Sequence, residues 1–215
     1  MNMDYNIGVD FDNTILSYDD LMYEVAIQQN LIYPDTPKSK QDIRDHIRQL
    51  PNGERKWQGV QALVYGERIR EAKLINGVKR FFELCKQNSI HVYIISHKTK
   101  YANFYDKNFD LRMAALIWMK MIKFFDEDGL GLNEENVCFE STRHEKIERI
   151  KYLKCTHFID DLEETFLENS FPPDVKKILF KPHIQPLLKQ NLSLYGIDVF
   201  TNWEDINNYF FKTKS

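Results

Sequence analysis

Cysteine is scarce in this chain. The three that occur, Cys85, Cys138 and Cys155, are odd in number and form no CxxC pair, so neither a disulfide framework nor a zinc site is expected. They read as buried thiols in a reducing compartment. No uninterrupted apolar run reaches the roughly 18 residues a membrane-spanning helix needs. A basic block is also missing: 29 Lys and Arg stand against 32 Asp and Glu, for a net charge of −3. That balance offers no track for nucleic acid. The six histidines include no HExxH pair, and no GxxxxGK[ST] loop is present to cradle a nucleotide. The opening residues are polar and run straight into an apolar strand, which is not the charged-then-apolar pattern of a secretory leader. A cytoplasmic protein with no membrane or nucleic-acid partner is the expectation.

Aromatics are the surplus, at 13% of residues, and they must fill a core, a pocket or a partner surface. Six apolar runs of strand length punctuate the chain, at 7–10, 91–96, 137–140, 157–160, 177–180 and 197–201. The first four lack clean alternation, as strands covered on both faces do. Helical patterns lie between them. Val78, Phe81, Phe82 and Cys85 repeat at i, i+3, i+4 and i+7, and residues 111–125 carry a heavy apolar load. Alternating strands and helices predict an α/β fold, a Rossmann-like parallel sheet with flanking helices.

Residues 18–73 break that rhythm. They hold helical patterns at 18–30, 40–49 and 57–71, separated by turn signals such as Tyr33-Pro34-Asp35 and Leu50-Pro51-Asn52-Gly53. The expected organisation is a core of residues 1–17 and 74–215, with a small all-helical domain of residues 18–73 inserted after the first strand.

Chemistry concentrates at the ends of the strand-length runs. Asp10 and Asp12 close the first run at i and i+2, a spacing that points both side chains to one side of an extended segment. Two acids so placed repel each other, and a divalent cation would compensate. Alternatively, Asp12 or Thr14 merely caps a helix. Ser96 ends the second run, on the sheet rim where α/β proteins bind ligands; a helix N-cap would explain it as well. Lys146 opens a helical pattern, where most lysines are simply solvated. Asp160 and Asp161 end the fourth run, and capping explains one of them at best.

Taken in order, Asp10-Phe11-Asp12-Asn13-Thr14, Ser96, Lys146 and Asp160-Asp161 resemble the four motifs of the haloacid dehalogenase superfamily. Gly77 and the helix after it look like that family's segment before its second motif. Asn13 departs from the glycine many members carry, but Asn tolerates the same backbone region. The resemblance implies a Mg²⁺-dependent phosphohydrolase acting on a small phosphorylated metabolite. Asp10 would be the nucleophile, Asp12 the general acid and base, and Ser96 and Lys146 the phosphate-binding groups. The metal would be held by Asp10, the Asp12 carbonyl and Asp161, with Asp160 alongside. Thr14 would support the loop, while His97 and Trp57 would touch substrate. The stretch from His97 to Tyr105 could flank the pocket, with Tyr101, Phe104 and Tyr105 packing as core otherwise. The helical insertion would be a cap that excludes water and reads the leaving group.

Other readings compete. A phosphotransferase or phosphomutase would share the Asp10 intermediate. A non-catalytic phosphoryl-binding module on the same fold would be expected to lose Asp10 or Asp12, and both are present. A response-regulator receiver would need an acceptor Asp at the end of a third strand, where this chain has Gln49-Leu50-Pro51-Asn52-Gly53 and no apolar run before it.

Overall fold

The computed structural model describes residues 5–101 and 109–212. The chain divides into two compact units. The first comprises Met1–Leu16, Leu74–His97 and Lys123–Ser215, and the second Ser17–Lys73 and Lys98–Ile122.

The first unit is built on six parallel strands: β1 (Asn6–Val9), β4 (His91–His97), β5 (Val137–Glu140), β6 (His157–Asp160), β7 (Lys176–Phe180) and β8 (Ile197–Phe200). Their order is β5-β4-β1-β6-β7-β8. Each of the six apolar runs in the sequence therefore forms a strand. Ile7 and Val9 are completely buried, as are Ile94, Ile95, Phe158 and Ile159; strands covered on both faces need this composition. β1 is central, with β4 on one side and β6 on the other. The chain runs outward through β4 and β5, then returns to β1's other flank. That reversal opens a crevice at the carboxyl ends of β1 and β6.

Crossover helices follow from local sequence. The α4 helix (Val78–Gln87) starts after Gly77, whose φ is +92°, and buries Val78, Phe81, Phe82 and Cys85. A Cβ at Gly77 would stand 2.7 Å from Trp203 Cβ, so both the backbone and the space demand glycine. The α6 helix (Arg143–Tyr152) opens with a capping box, Thr142 and Glu145 satisfying each other's backbone amides. Its buried face carries Ile147, Ile150 and, unusually, Lys146. The α9 helix (Trp203–Phe211) is capped by Asn202 and buries Trp203, Ile206 and Phe210. Trp203 packs against Phe81, the ring centroids 5.1 Å apart and tilted by 58°, and donates its indole N–H to the Thr14 carbonyl at 2.9 Å. A short α7 (Glu163–Leu167) and α8 (Pro186–Ser193) complete this unit.

The second unit is helical: α1 (Asp19–Gln28), α2 (Lys40–Arg48), α3 (Gly53–Ala62) and α5 (Leu111–Met121). A wide π-turn over Leu63–Glu67 and a 3₁₀ turn over Ile69–Glu71 follow α3. Two-residue strands, β2 (Leu16–Ser17) and β3 (Lys73–Leu74), pair where the chain passes from one unit to the other. Among the described residues no helix is long and apolar enough to cross a membrane.

One expectation changes here. Residues 98–122 group with the helical unit and not with the α/β core. The apolar face of α5 explains this: Leu111, Ala114, Ala115, Trp118 and Met119 are buried, the helix packs on the π-turn and the 3₁₀ turn, and Trp118 donates to the Ala72 carbonyl at 3.0 Å. Lys98 is also buried, its ammonium 5.3 Å from the Tyr65 ring within the same unit. Phe104 and Tyr105 lie outside the described residues.

Candidate active site

The carboxyl ends of β1 and β6 bring three acids together. Val9 is paired with Ile159, and the Asp10 amide donates to the Ile159 carbonyl at 2.8 Å, so Asp10 and Asp160 end neighbouring strands at one level. One carboxylate oxygen from each of Asp10, Asp160 and Asp161 lies within 4.8 Å of the others. All three are hard oxygen donors, the chemistry that suits a small divalent cation.

Lys146 enters from α6. Its ammonium lies 2.7 Å from Asp10 Oδ1 and 2.7 Å from Asp160 Oδ2. All three side chains are buried, at 3%, 7% and 0% exposure, where neither an unpaired lysine nor an unpaired carboxylate is tolerated. Asp160 Oδ1 accepts from the Leu162 amide at 3.1 Å, so each Asp160 oxygen has a partner. Below the ammonium, at 5.2 Å, lies the Phe158 ring. A Cβ on Gly8, the β1 partner of Phe158, would come within 2.6 Å of that ring. Gly8 thus makes room for the floor under Lys146.

The electrostatics follow from burial. Loss of solvent raises the Asp10 carboxyl to about 6; Lys146 pulls it down, while Asp160 and Asp12 push it up. Burial also acts against the Lys146 ammonium, but Asp10 and Asp160 outweigh it and hold its pKa above the ordinary lysine range. No thiol competes as a nucleophile here. Burial pushes Cys85 and Cys155 up to about 12, and Cys138 is raised for the same reason.

Asp12 follows in the loop between β1 and β2 and is bridged to Leu16. Asn13 takes φ +59°, the left-handed conformation Asn tolerates. Thr14 is fully buried, and its hydroxyl has no hydrogen-bond partner among the described residues. Ser96 is the penultimate residue of β4, at 1% exposure. His97 follows it, exposed, with Nε2 3.0 Å from the Ser141 carbonyl.

Trp57 belongs to the helical unit and is 2% exposed. It shares a helix face with Val60 and Val64, both buried, and that apolar stripe accounts for it without a ligand. Arg55 is exposed, and Lys56 and Gln58 are partly so.

No family model matches this sequence, and no curated protein does. Solved structures match along nearly the whole chain. A haloacid dehalogenase family hydrolase from Deinococcus radiodurans, with bound phosphate and sodium, is 11% identical, with 98% of this chain and 96% of that one covered at a TM-score of 0.57. A haloacid dehalogenase-like hydrolase from Streptococcus pneumoniae is 14% identical over 98% and 100% of the two chains, also at 0.57. A putative β-phosphoglucomutase from Thermotoga maritima is 12% identical over 97% and 99%, again at 0.57. This is the haloacid dehalogenase-like fold.

Within that fold, Asp10, Lys146, Asp160 and Asp161 converge, with Ser96 at the neighbouring strand end. Reading the sequence for chemistry missed Gly8, Phe158 and the Ser141 carbonyl. A glycine inside an apolar strand marks a close approach, so Gly8 carried a signal. A backbone carbonyl carries none.

Proposed function

We propose that this protein is a Mg²⁺-dependent phosphohydrolase acting on a small phosphorylated metabolite through an aspartyl-phosphate on Asp10. The observation behind the proposal is the buried Asp10–Lys146–Asp160 bridge beside Asp161 at the sheet switch point. Structural likeness to a hydrolase with bound phosphate agrees with it.

The donor set fits a hard dication: Asp10, Asp161 and the Asp12 carbonyl would hold it, with Asp160 behind them. When bound, Mg²⁺ supplies positive charge that offsets repulsion between carboxylate and phosphate and polarises a phosphoryl oxygen. Asp10 must be ionised to attack, and Lys146 favours that state. Its carboxylate oxygen forms a bond to phosphorus as the bond from phosphorus to the ester oxygen breaks. Asp12 gives its proton to the departing oxygen. Asp12 then takes a proton from water, which attacks phosphorus, releases inorganic phosphate and restores Asp10. Ser96 donates to a phosphoryl oxygen, and Lys146 adds a charge-assisted contact. Thr14 supports the loop through its backbone carbonyl, which accepts from the Trp203 indole.

The test is hydrolysis of p-nitrophenyl phosphate and a panel of phosphorylated metabolites, with Mg²⁺ and with chelator. Turnover that needs the metal and vanishes in Asp10→Asn is expected. Chelator-resistant turnover, or a fully active Asp10→Asn, would sink the proposal. Adding alcohol acceptors to the same assay separates hydrolysis from phosphotransfer, since a transferase makes a new ester in place of free phosphate.

A further inference from the structure

We infer that Phe158 is a positioning residue: the face of its buried ring holds the Lys146 ammonium in place while Asp10 is bonding to phosphorus and no longer offers a full carboxylate charge. This rests on the phosphohydrolase reading above.

The geometry comes from an offset of two residues on neighbouring strands. Phe158 stands two before Asp160, and its β1 partner Gly8 stands two before Asp10. Each therefore shares a strand face with the acid that follows it. A Cβ on Gly8 would meet Phe158 Cδ2 at 2.6 Å and Cε2 at 2.9 Å, so the ring lies across the place a β1 side chain would take. The ammonium is caught between Asp10 and Asp160, each at 2.7 Å, and the ring, whose centroid is 5.2 Å away. That is inside the roughly 6 Å reach of a cation–π contact. The ring is fully buried, edge-on to Phe166 at 6.4 Å. It shares a core cluster with Ile147 and Ile150, which lie on the helix that carries Lys146. Contacts of this kind are strongest where water is excluded.

At rest the two carboxylates hold the ammonium. When an Asp10 oxygen bonds to phosphorus, its charge passes towards the phosphoryl group, which draws the ammonium outward. Asp160 belongs to the same carboxylate cluster, and its charge is shared there. The ring undergoes no such change. Its pull on the cation counts for more in the transition state than at rest, and an interaction of that kind accelerates a reaction.

Replacing Phe158 in turn by mono-, di- and trifluorophenylalanine drains the ring face stepwise and changes its shape little. With p-nitrophenyl phosphate and Mg²⁺, kcat/KM should fall at each step, to about 10-fold below wild type with three fluorines. Melting temperatures in chelator should stay level across the series, because the resting ammonium keeps both carboxylates. Phe158→Leu, which has no ring face, should lose at least as much activity as the trifluoro protein. A flat kcat/KM series overturns the inference, whatever Phe158→Leu does, since shape alone would then matter. Melting temperatures that fall in step with kcat/KM overturn it too, because the ring would serve the resting core equally. A wild type inert on p-nitrophenyl phosphate and on the metabolite panel defeats the phosphohydrolase reading itself, and this inference with it.

Discussion

Lys146 Nζ lies 2.7 Å from Asp10 Oδ1, though the two residues stand 136 positions apart in the chain. The same nitrogen lies 2.7 Å from Asp160 Oδ2. One ammonium thus answers two carboxylates from neighbouring strands, and the stability of the crevice depends on it.

Lys146→Met should therefore cost stability as well as activity. It strands two buried carboxylates, for which a loss of about 3–5 kcal/mol is the usual scale. The variant should recover some of that loss as pH falls, because protonating Asp10, whose carboxyl burial already holds at about 6, relieves part of the unpaired charge. Urea unfolding at pH 5 and pH 8 measures both effects. A loss that does not depend on pH would show that packing, not charge, is at stake.

Asp10→Asn should abolish turnover and leave the metal-free protein at least as stable as the wild type. Burial, against Lys146, holds the Asp10 carboxyl up at about 6. A carboxyl raised in the folded state binds its proton more tightly there than in the unfolded chain. Stability from this group is thus present at low pH and lost as pH rises from about 4 to about 6. Asparagine removes that slope. Thermal melts in chelator across this range should be flatter for the variant, and a steeper dependence would contradict the burial argument.

Asp161→Asn should weaken metal binding without disturbing the bridge. Asp161 belongs to the carboxylate cluster but is not one of the two acids on Lys146. Its Mg²⁺ titration should shift at least 10-fold upward while the melting temperature in chelator stays within a degree or two of wild type, as expected for a change outside the buried pair. An unmoved titration would remove Asp161 from the ligand set.

His157 should make the fold sensitive to acid. Its ring is 8% exposed, edge-on to Tyr5 at 4.9 Å and Phe210 at 5.0 Å. Burial first, then the charge of Lys176, lowers its pKa to about 4. The unfolded chain binds the proton more readily, so stability is full above about pH 6.5 and is lost on the way down to about 4. The scale is at most about 3 kcal/mol. His157→Gln should flatten this limb in urea midpoints taken at pH 4.5 and 7.5. An unaltered limb would place the acid sensitivity elsewhere.

Most of the core was legible from residue order. Buried parallel strands are continuous apolar runs, so 7–10 and 157–160 announced themselves, and the acids at their ends marked the rim. The left-handed turn at Asn13 was legible too, because few side chains accept it. The placement of α5 was not. A helical period records that one face of residues 111–121 is buried, but not what covers it, and here Ala72 and its neighbours do. Trp57 is ambiguous for a related reason, since a large ring among charged residues looks the same in sequence whether it meets a ligand or a neighbouring helix. The bridge from Lys146 to two acids had no local signal, because it exists only once three separate strand and helix ends meet.

The polypeptide changes unit four times, after Leu16, Lys73, His97 and Ile122. The helical unit is therefore no cassette that could be excised or exchanged at a single pair of splice points. A shortened gene lacking codons 18–73 would still encode α5, with Trp118 deprived of its Ala72 acceptor and a greasy flank turned to water. Such a product should precipitate. Any attempt to graft another unit onto this scaffold must carry both of its segments.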